Sequence, residues 1–202
     1  MTVHPRPDER HIRRTDVYEI SAAIDVEFNI EGYPSPDFLA LIEDVKPAQA
    51  TLVPDPPGVL TSNAGWDTVA HRDFLRDVVA RLKAAGARVS IFCGTDLTMV
   101  EGAAETGTDR IELYTEPYAV QYIADREAAV APFSAAARRA HELGLGLNAG
   151  HDLSLENLTF FQHQVPHLLE VSIGHALVCD ALYLGLERTV AAYKGCLQMP
   201  GS

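Results

Sequence analysis

Apolar and polar positions along the chain follow two alternating periods. Short apolar runs stand at Ile24 to Ile30, Ala48 to Val53, Arg88 to Cys93, Asp109 to Tyr114, Leu145 to Ala149 and Leu168 to Ile173. Runs of this length, bounded by turn residues, predict buried strands. Helical spacing fills the intervals. Ser35-Pro36-Asp37 offers an N-cap with proline at the first helical position, opening a helix that ends before Lys46-Pro47. From about Asp67 a second helix carries Phe74, Leu75, Val78, Val79 and Leu82 as a one-sided stripe, and Gly86 ends it where a left-handed residue is wanted. Asp96 caps a helix that ends near Gly107. A longer one, from about Asp125 to Leu143, stops at Gly144, with Pro132 expected to kink it or shift its start. Ser154 caps a short helix, and a final helix runs from about Ala176 to Lys194. Pro54 to Gly65 is read as a loop, as is the segment from Tyr114 to about Asp125, whose composition permits a lid.

Strand-then-helix order repeated in this way predicts parallel strands joined by right-handed crossovers. An open doubly wound sheet and a closed (β/α)8 barrel both satisfy it. Neither GxGxxG nor GxxxxGK[ST] is present to favour the open sheet. Glu31, Glu112, Asn148, His151 and His175 fall at or just beyond the carboxyl ends of different strands. In a barrel those ends converge on one mouth, so the α/β fold is read as a TIM barrel. Six complete units are two short of eight, and Thr2-Val3-His4 resembles the tail of a further strand. The chain is therefore expected to be a single domain, residues 1–202, forming a barrel without its first strand-helix unit and the start of the second strand. No repeat or domain boundary interrupts it.

Four stretches carry candidate chemistry. Asn29-Ile30-Glu31-Gly32 sets a carboxylate at a strand end, where partial burial would push it towards neutrality and suit it to acid/base work. Taken alone, a solvated loop glutamate is the plainer reading. Arg110-Ile111-Glu112-Leu113-Tyr114 alternates so that Ile111 and Leu113 face the helices and Glu112 faces the lumen. A buried ion pair and a functional carboxyl fit that position equally well. Gly150-His151-Asp152 and Gly174-His175 each end a strand and open a helix, an arrangement of small residue, free N–H groups and helix dipole that suits phosphate. His4-Pro5-Arg6-Pro7 through His11 gathers two histidines and two arginines in a stiffened loop, against the alternative of a frayed terminus.

Other residues read as structural. His163 and His167 are spaced i, i+4 around Pro166 without an accompanying carboxylate, so no metal is expected. Trp66 and Tyr118 line the mouth or pack, Cys93 and Cys179 read as core, and the alanine-rich Ala128 to Ala140 reads as a packing or subunit-contact surface.

Composition narrows the partners. With 202 residues and a formal net charge of −12, the chain lacks the basic excess that nucleic acid or an anionic membrane would require. Three scattered cysteines form neither a disulfide framework nor a zinc pattern, and the polar, proline-broken start is not a signal peptide. A cytoplasmic location is expected.

The runs TVHPRPDERHI, FNIEGYPS, LVPDPPGVLTSNAGWD, RIELYTEPYA, NAGHDLSLENL and EVSIGHALVCDALYLGLE resemble the pyridoxine 5'-phosphate synthases of the deoxyxylulose-dependent vitamin B6 pathway, from Thr2 to roughly Lys194. The resemblance implies a TIM barrel, assembled as a homo-octamer, with no cofactor. It implies condensation of 3-amino-2-oxopropyl phosphate with 1-deoxy-D-xylulose 5-phosphate to pyridoxine 5'-phosphate, phosphate and water. By position, it makes His4 a general base, Glu31 a second acid/base residue, His151 the general acid and Glu112 a stabiliser of the transition state. Arg6, His11 and Thr61 match positions that hold the deoxyxylulose phosphate. Asp152, Gly174 and His175 match those that hold the amino-oxopropyl phosphate, Asp152 through its backbone N–H. The family begins with a further strand and helix, so the resemblance also implies an N-terminal truncation, with the 202-residue chain poorly folded or inactive until that segment is added. A non-catalytic phosphate-binding subunit and another cofactor-free sugar-phosphate lyase or isomerase are the rival readings.

Overall fold

The computed structural model describes residues 1–54 and 64–198. Seven strands form one sheet in chain order: β1 (Thr2–Val3), β2 (Asn29–Gly32), β3 (Gln49–Leu52), β4 (Arg88–Cys93), β5 (Arg110–Tyr114), β6 (Gly146–Gly150) and β7 (Leu168–Ser172). Every neighbouring pair is parallel. Helices follow the strands: α1 (Arg14–Ala23), α2 (Pro36–Val45), α3 (Arg72–Ala84), α4 (Leu97–Glu105), α5 (Glu116–Tyr122), α6 (Arg126–Glu142), α7 (Leu158–Gln164), α8 (His175–Leu184) and α9 (Leu186–Cys196). This is the α/β TIM-barrel architecture, and the short strand expected at Thr2-Val3-His4 is present as β1. Among the described residues, β1 and β7 do not pair with each other, so they are the two edges of the curled sheet.

Alternation along the strands sorts side chains between two surfaces. Ile30, Ala50, Leu52, Val89, Ile91, Ile111, Leu113, Leu147 and Ala149 are fully buried against the helices. They join Leu75, Val78, Val79 and Leu82 of α3, and Ala136, Ala137 and Ala140 of α6, in two apolar clusters. The opposite face of the strands carries Asn29, Gln49, Thr51, Ser90, Glu112 and Asn148, all buried and polar, because it lines the lumen. The alanine stretch thus packs on the sheet: small side chains let α6 approach closely.

Several boundaries differ from the sequence reading. Only the end of the Ile24 to Ile30 run is strand. Ser35 caps α2 as expected, accepting from Phe38 N at 3.2 Å. The helix expected from Asp67 starts at Arg72, after a turn in which Ala70 N donates to Asp67, and Phe74 is exposed rather than buried. Pro132 neither breaks α6 nor moves its start, which Asp125 caps through Ala128 N. Ser154 serves the turn before α7, accepting from Glu156 N, while Asn157 is the N-cap. The final helix is divided at Gly185, whose φ of +80° suits glycine alone. Cys179 lies exposed on α8, not in the core. His167 stacks on His141 at 3.6 Å, and no metal-ligating cluster of three occurs among the described residues.

The segment after Tyr114 is helix α5, not an open loop. Its Tyr118 is fully buried, packs on Phe161 at 4.9 Å and donates its hydroxyl to the Asn157 carbonyl at 2.7 Å. These contacts tie α5 to α7 and to the turn before it. Tyr118→Phe is expected to lower stability by about 1 kcal/mol, as the Asn157 carbonyl keeps Phe161 N–H but loses its second donor. Thermal unfolding checks this.

Candidate active site

The site is built on the carboxyl ends of β2, β5, β6 and β7. In β2, Ile30 is buried against the helices, so Glu31 points to the lumen. Glu31 is a part-buried strand residue rather than a loop one, and burial, then the negative charge of Glu170, push its carboxyl up to about 7. Glu112 is 1% exposed, and burial together with Glu31 and Glu170 holds its carboxyl well above the ordinary carboxylate range. Three carboxyl groups from β2, β5 and β7 therefore share one interior. Glu170, which the sequence reading passed over, receives Arg110 Nη1 at 3.0 Å and faces Gln49 Nε2 at 3.4 Å. The ion pair weighed for Glu112 belongs to Glu170 instead.

Glu112 and His151 meet through Gly150. A Cβ at Gly150 would lie 2.3 Å from Glu112 Oε1, so only glycine leaves room for the carboxyl there. That glycine seats an acidic side chain, where the sequence suggested room for a ligand. His151 follows in the left-handed region, φ +80°, and Asp152 repeats it at +56°. Two consecutive non-glycine residues in this region are uncommon and carry strain that the surroundings must hold. Thr115 does so: its N–H and its hydroxyl reach the Gly150 carbonyl at 2.9 and 2.6 Å, and its hydroxyl also contacts the His151 carbonyl. The His151 ring is set between Phe92 (5.1 Å) and Tyr114 (5.2 Å), in-facing residues of β4 and β5. Asn157 fixes the following turn, donating to the Asp152 carbonyl at 3.1 Å and accepting from Ser154 N at 2.9 Å.

The remaining candidates lie around this centre. β1 and β2 pair Val3 with Ile30, so His4 leaves β1 level with Glu31. Arg6 lies in the turn that follows, its carbonyl accepting from Glu9 N at 2.9 Å, and His11 is exposed further along. Gly174 is the N-cap of α8, with His175 as its first residue, just beyond β7. Asp152 is exposed beside His151. Thr61 lies outside the described residues. A cavity of about 560 Å³ is lined by Thr2, Asn29, Arg88, Arg110, Glu170 and Tyr193 among others. Its lining comes from the amino ends of β1 to β5, from the length of β7 and from α8 and α9, and does not include His151.

The amino-acid sequence matches a known family model. Residues 1–199 match the model described as pyridoxal phosphate biosynthesis protein PdxJ. The pyridoxine 5'-phosphate synthase of Bacteroides thetaiotaomicron is 61% identical over 198 residues, covering 98% of this chain and 84% of that protein. That of Cytophaga hutchinsonii is 55% identical over 193 residues, covering 96% and 81%.

The chain belongs to the PdxJ family.

It is an enzyme of pyridoxal phosphate biosynthesis. Solved structures add only the fold. The 3-keto-L-gulonate-6-phosphate decarboxylase of Vibrio cholerae superposes with a TM-score of 0.64 at 8% identity, covering 97% of this chain and 84% of that one. The tryptophan synthase A-subunit of Pyrococcus furiosus gives 0.57 at 14%, covering 94% and 72%. Within this PdxJ chain, Thr115, Phe92, Tyr114 and Glu170 were not singled out by sequence as parts of the site. Period-two alternation in Leu169-Glu170-Val171-Ser172 was the available signal for Glu170. Nothing in the sequence marks Thr115 as the residue that holds the His151 backbone.

Proposed function

We propose that this enzyme condenses 3-amino-2-oxopropyl phosphate with 1-deoxy-D-xylulose 5-phosphate, giving pyridoxine 5'-phosphate, inorganic phosphate and water. Family membership supplies the substrates, and the observation that carries the chemistry is Glu31. A carboxyl with a pKa of about 7 both takes and gives a proton at neutral pH. The substrate amine attacks the ketone of its partner to form a Schiff base, so no enzyme lysine is needed. Dehydration, phosphate loss and ring closure then each require proton transfers.

In this reading His4 is a general base, Glu31 the second acid/base group and His151 the general acid. Glu112 stabilises charge in the transition state. The first residues of α8 at Gly174 and His175, with the backbone N–H of Asp152, hold the amino-oxopropyl phosphate. Free N–H groups and the helix dipole favour an anion there. Arg6, His11 and Thr61 hold the deoxyxylulose phosphate. No cofactor or metal takes part, the working state is a homo-octamer, and the enzyme works in the cytoplasm. No helix among the described residues is long and apolar enough to cross a membrane.

Two forms are to be assayed with both substrates: the 202-residue chain, and that chain joined to the residues of the Bacteroides thetaiotaomicron protein that it does not match. Pyridoxine 5'-phosphate is expected as product. Absence of product from both would overturn the functional proposal.

A further inference from the structure

Within the lumen a buried donor and a buried acceptor stand side by side without partners. Glu112 on β5 and Asn148 on β6 are register partners, so their side chains leave neighbouring strands at the same height and on the same face. Neighbouring strands lie about 4.8 Å apart. Both residues are 1% exposed. Arg110, two positions before Glu112 on its strand, donates Nη1 to Asn148 Oδ1 at 3.0 Å and to Glu170 Oε2 at 3.0 Å. A guanidinium only donates, so it takes the amide by its oxygen and turns Nδ2 away. That Nδ2 is buried with no hydrogen-bond partner, and so is Glu112 Oε2. Leaving such groups unpaired is costly. The cost is recovered if the two groups meet when Glu112 is charged.

We propose that Asn148 is a positioning residue: its amino group donates to the Glu112 carboxylate when Glu112 gives up its proton, and Arg110 fixes the amide the right way round for it. The inference rests on the proposed function, in which Glu112 works in the reaction. The groups around Glu112 act in opposite directions. Glu31 from β2 and Glu170 from β7 disfavour its charge. Arg110 is engaged by Asn148 and Glu170, while Arg88 of β4 is engaged by Glu27 and Gln49. His151 after β6 and His4 after β1 stand at the mouth above. Asn148 is the neutral, desolvated donor on the neighbouring strand that would offset the two carboxylates.

The test compares the unsubstituted chain with Asn148→Leu, which keeps the volume and removes the donor. Infrared spectra across pH follow the carbonyl band of protonated Glu112, identified by its loss in Glu112→Gln. In Asn148→Leu this band is expected to persist about one to two pH units higher. In the more active assayed form, kcat is expected to fall about 10- to 100-fold, the loss of one hydrogen bond to a charged group, with KM for either substrate changed less than about threefold. An unchanged titration of the band, or a loss confined to KM, would overturn the proposal. Should Asn148→Leu not fold, Asn148→Ala carries the same comparison. Unsubstituted enzyme without turnover would count against the proposed function alone, and the infrared titration would still decide the role of Asn148.

Discussion

Glu31→Gln is expected to lower kcat/KM by ~10²–10⁴-fold and to remove the rise of rate with pH around neutrality. The glutamine keeps the shape and part of the hydrogen bonding while removing the proton exchange. Because burial and Glu170 bring the Glu31 carboxyl to about 7, half of it is ionised near that pH. A step that needs the base form therefore slows as pH falls below about 7, and the variant loses that limb. The measurement is a pH profile of kcat/KM for both proteins. A variant retaining the same limb would show that another group supplies the proton transfer.

Glu112→Gln is expected to make the folded chain more stable at pH 8 by about 1–3 kcal/mol while leaving stability near pH 4 almost unchanged. The folded-state pKa of Glu112 is raised above its ordinary 4.5 by burial and by Glu31 and Glu170. A raised group binds its proton more tightly in the folded chain than in the unfolded one. Its contribution is thus fully present below about 4.5 and is lost as pH rises through the folded value. Glutamine never ionises, so it escapes that loss. Glu31, raised to about 7, adds a smaller decline over the lower part of the same window. Denaturant unfolding at pH 4 and pH 8 separates the two cases. Equal stability of both proteins at pH 8 would mean that Glu112 ionises in the folded chain without cost.

These two expectations pull against each other, which is common where acid/base chemistry is done. Buried carboxyl groups that serve the reaction destabilise the fold that holds them. The lumen confines that cost to one layer. Below Glu112, the Arg110–Glu170 pair and the Gln49–Arg88–Glu27 chain pair charged and polar groups at the amino ends of the strands. Above it, Gly150 leaves a space the size of a Cβ and Thr115 holds the chain on either side of His151.

Much of the fold was legible because local patterns agree with it. The Ser35-Pro36 cap, the α3 stripe, Asp96 and Gly86 all act through neighbours in the chain, so reading neighbours was sufficient. Errors came where tertiary contacts overrode local propensity. Tyr118 turns a polar-looking connection into helix α5 by burying its ring against Phe161. Pro132 is tolerated because α6 packs along its length on the sheet. Thr61 lies outside the described residues. Glu31, Glu112 and His151 were proposed from strand ends and His4 from the loop after Thr2-Val3, and the structure places the two glutamates in one interior.

From its sequence alone the chain is committed to parallel strands alternating with helices, with carboxylates and histidines at the carboxyl ends, because apolar period and turn residues are properties of short segments. Only the tertiary structure decided the state of those groups. The proton affinity of Glu31 depends on Glu170, 139 positions away in the chain, and the seat of Glu112 depends on a glycine on the next strand. Such effects need desolvation and charges brought close together, and no segment acquires either until the sheet has curled around it.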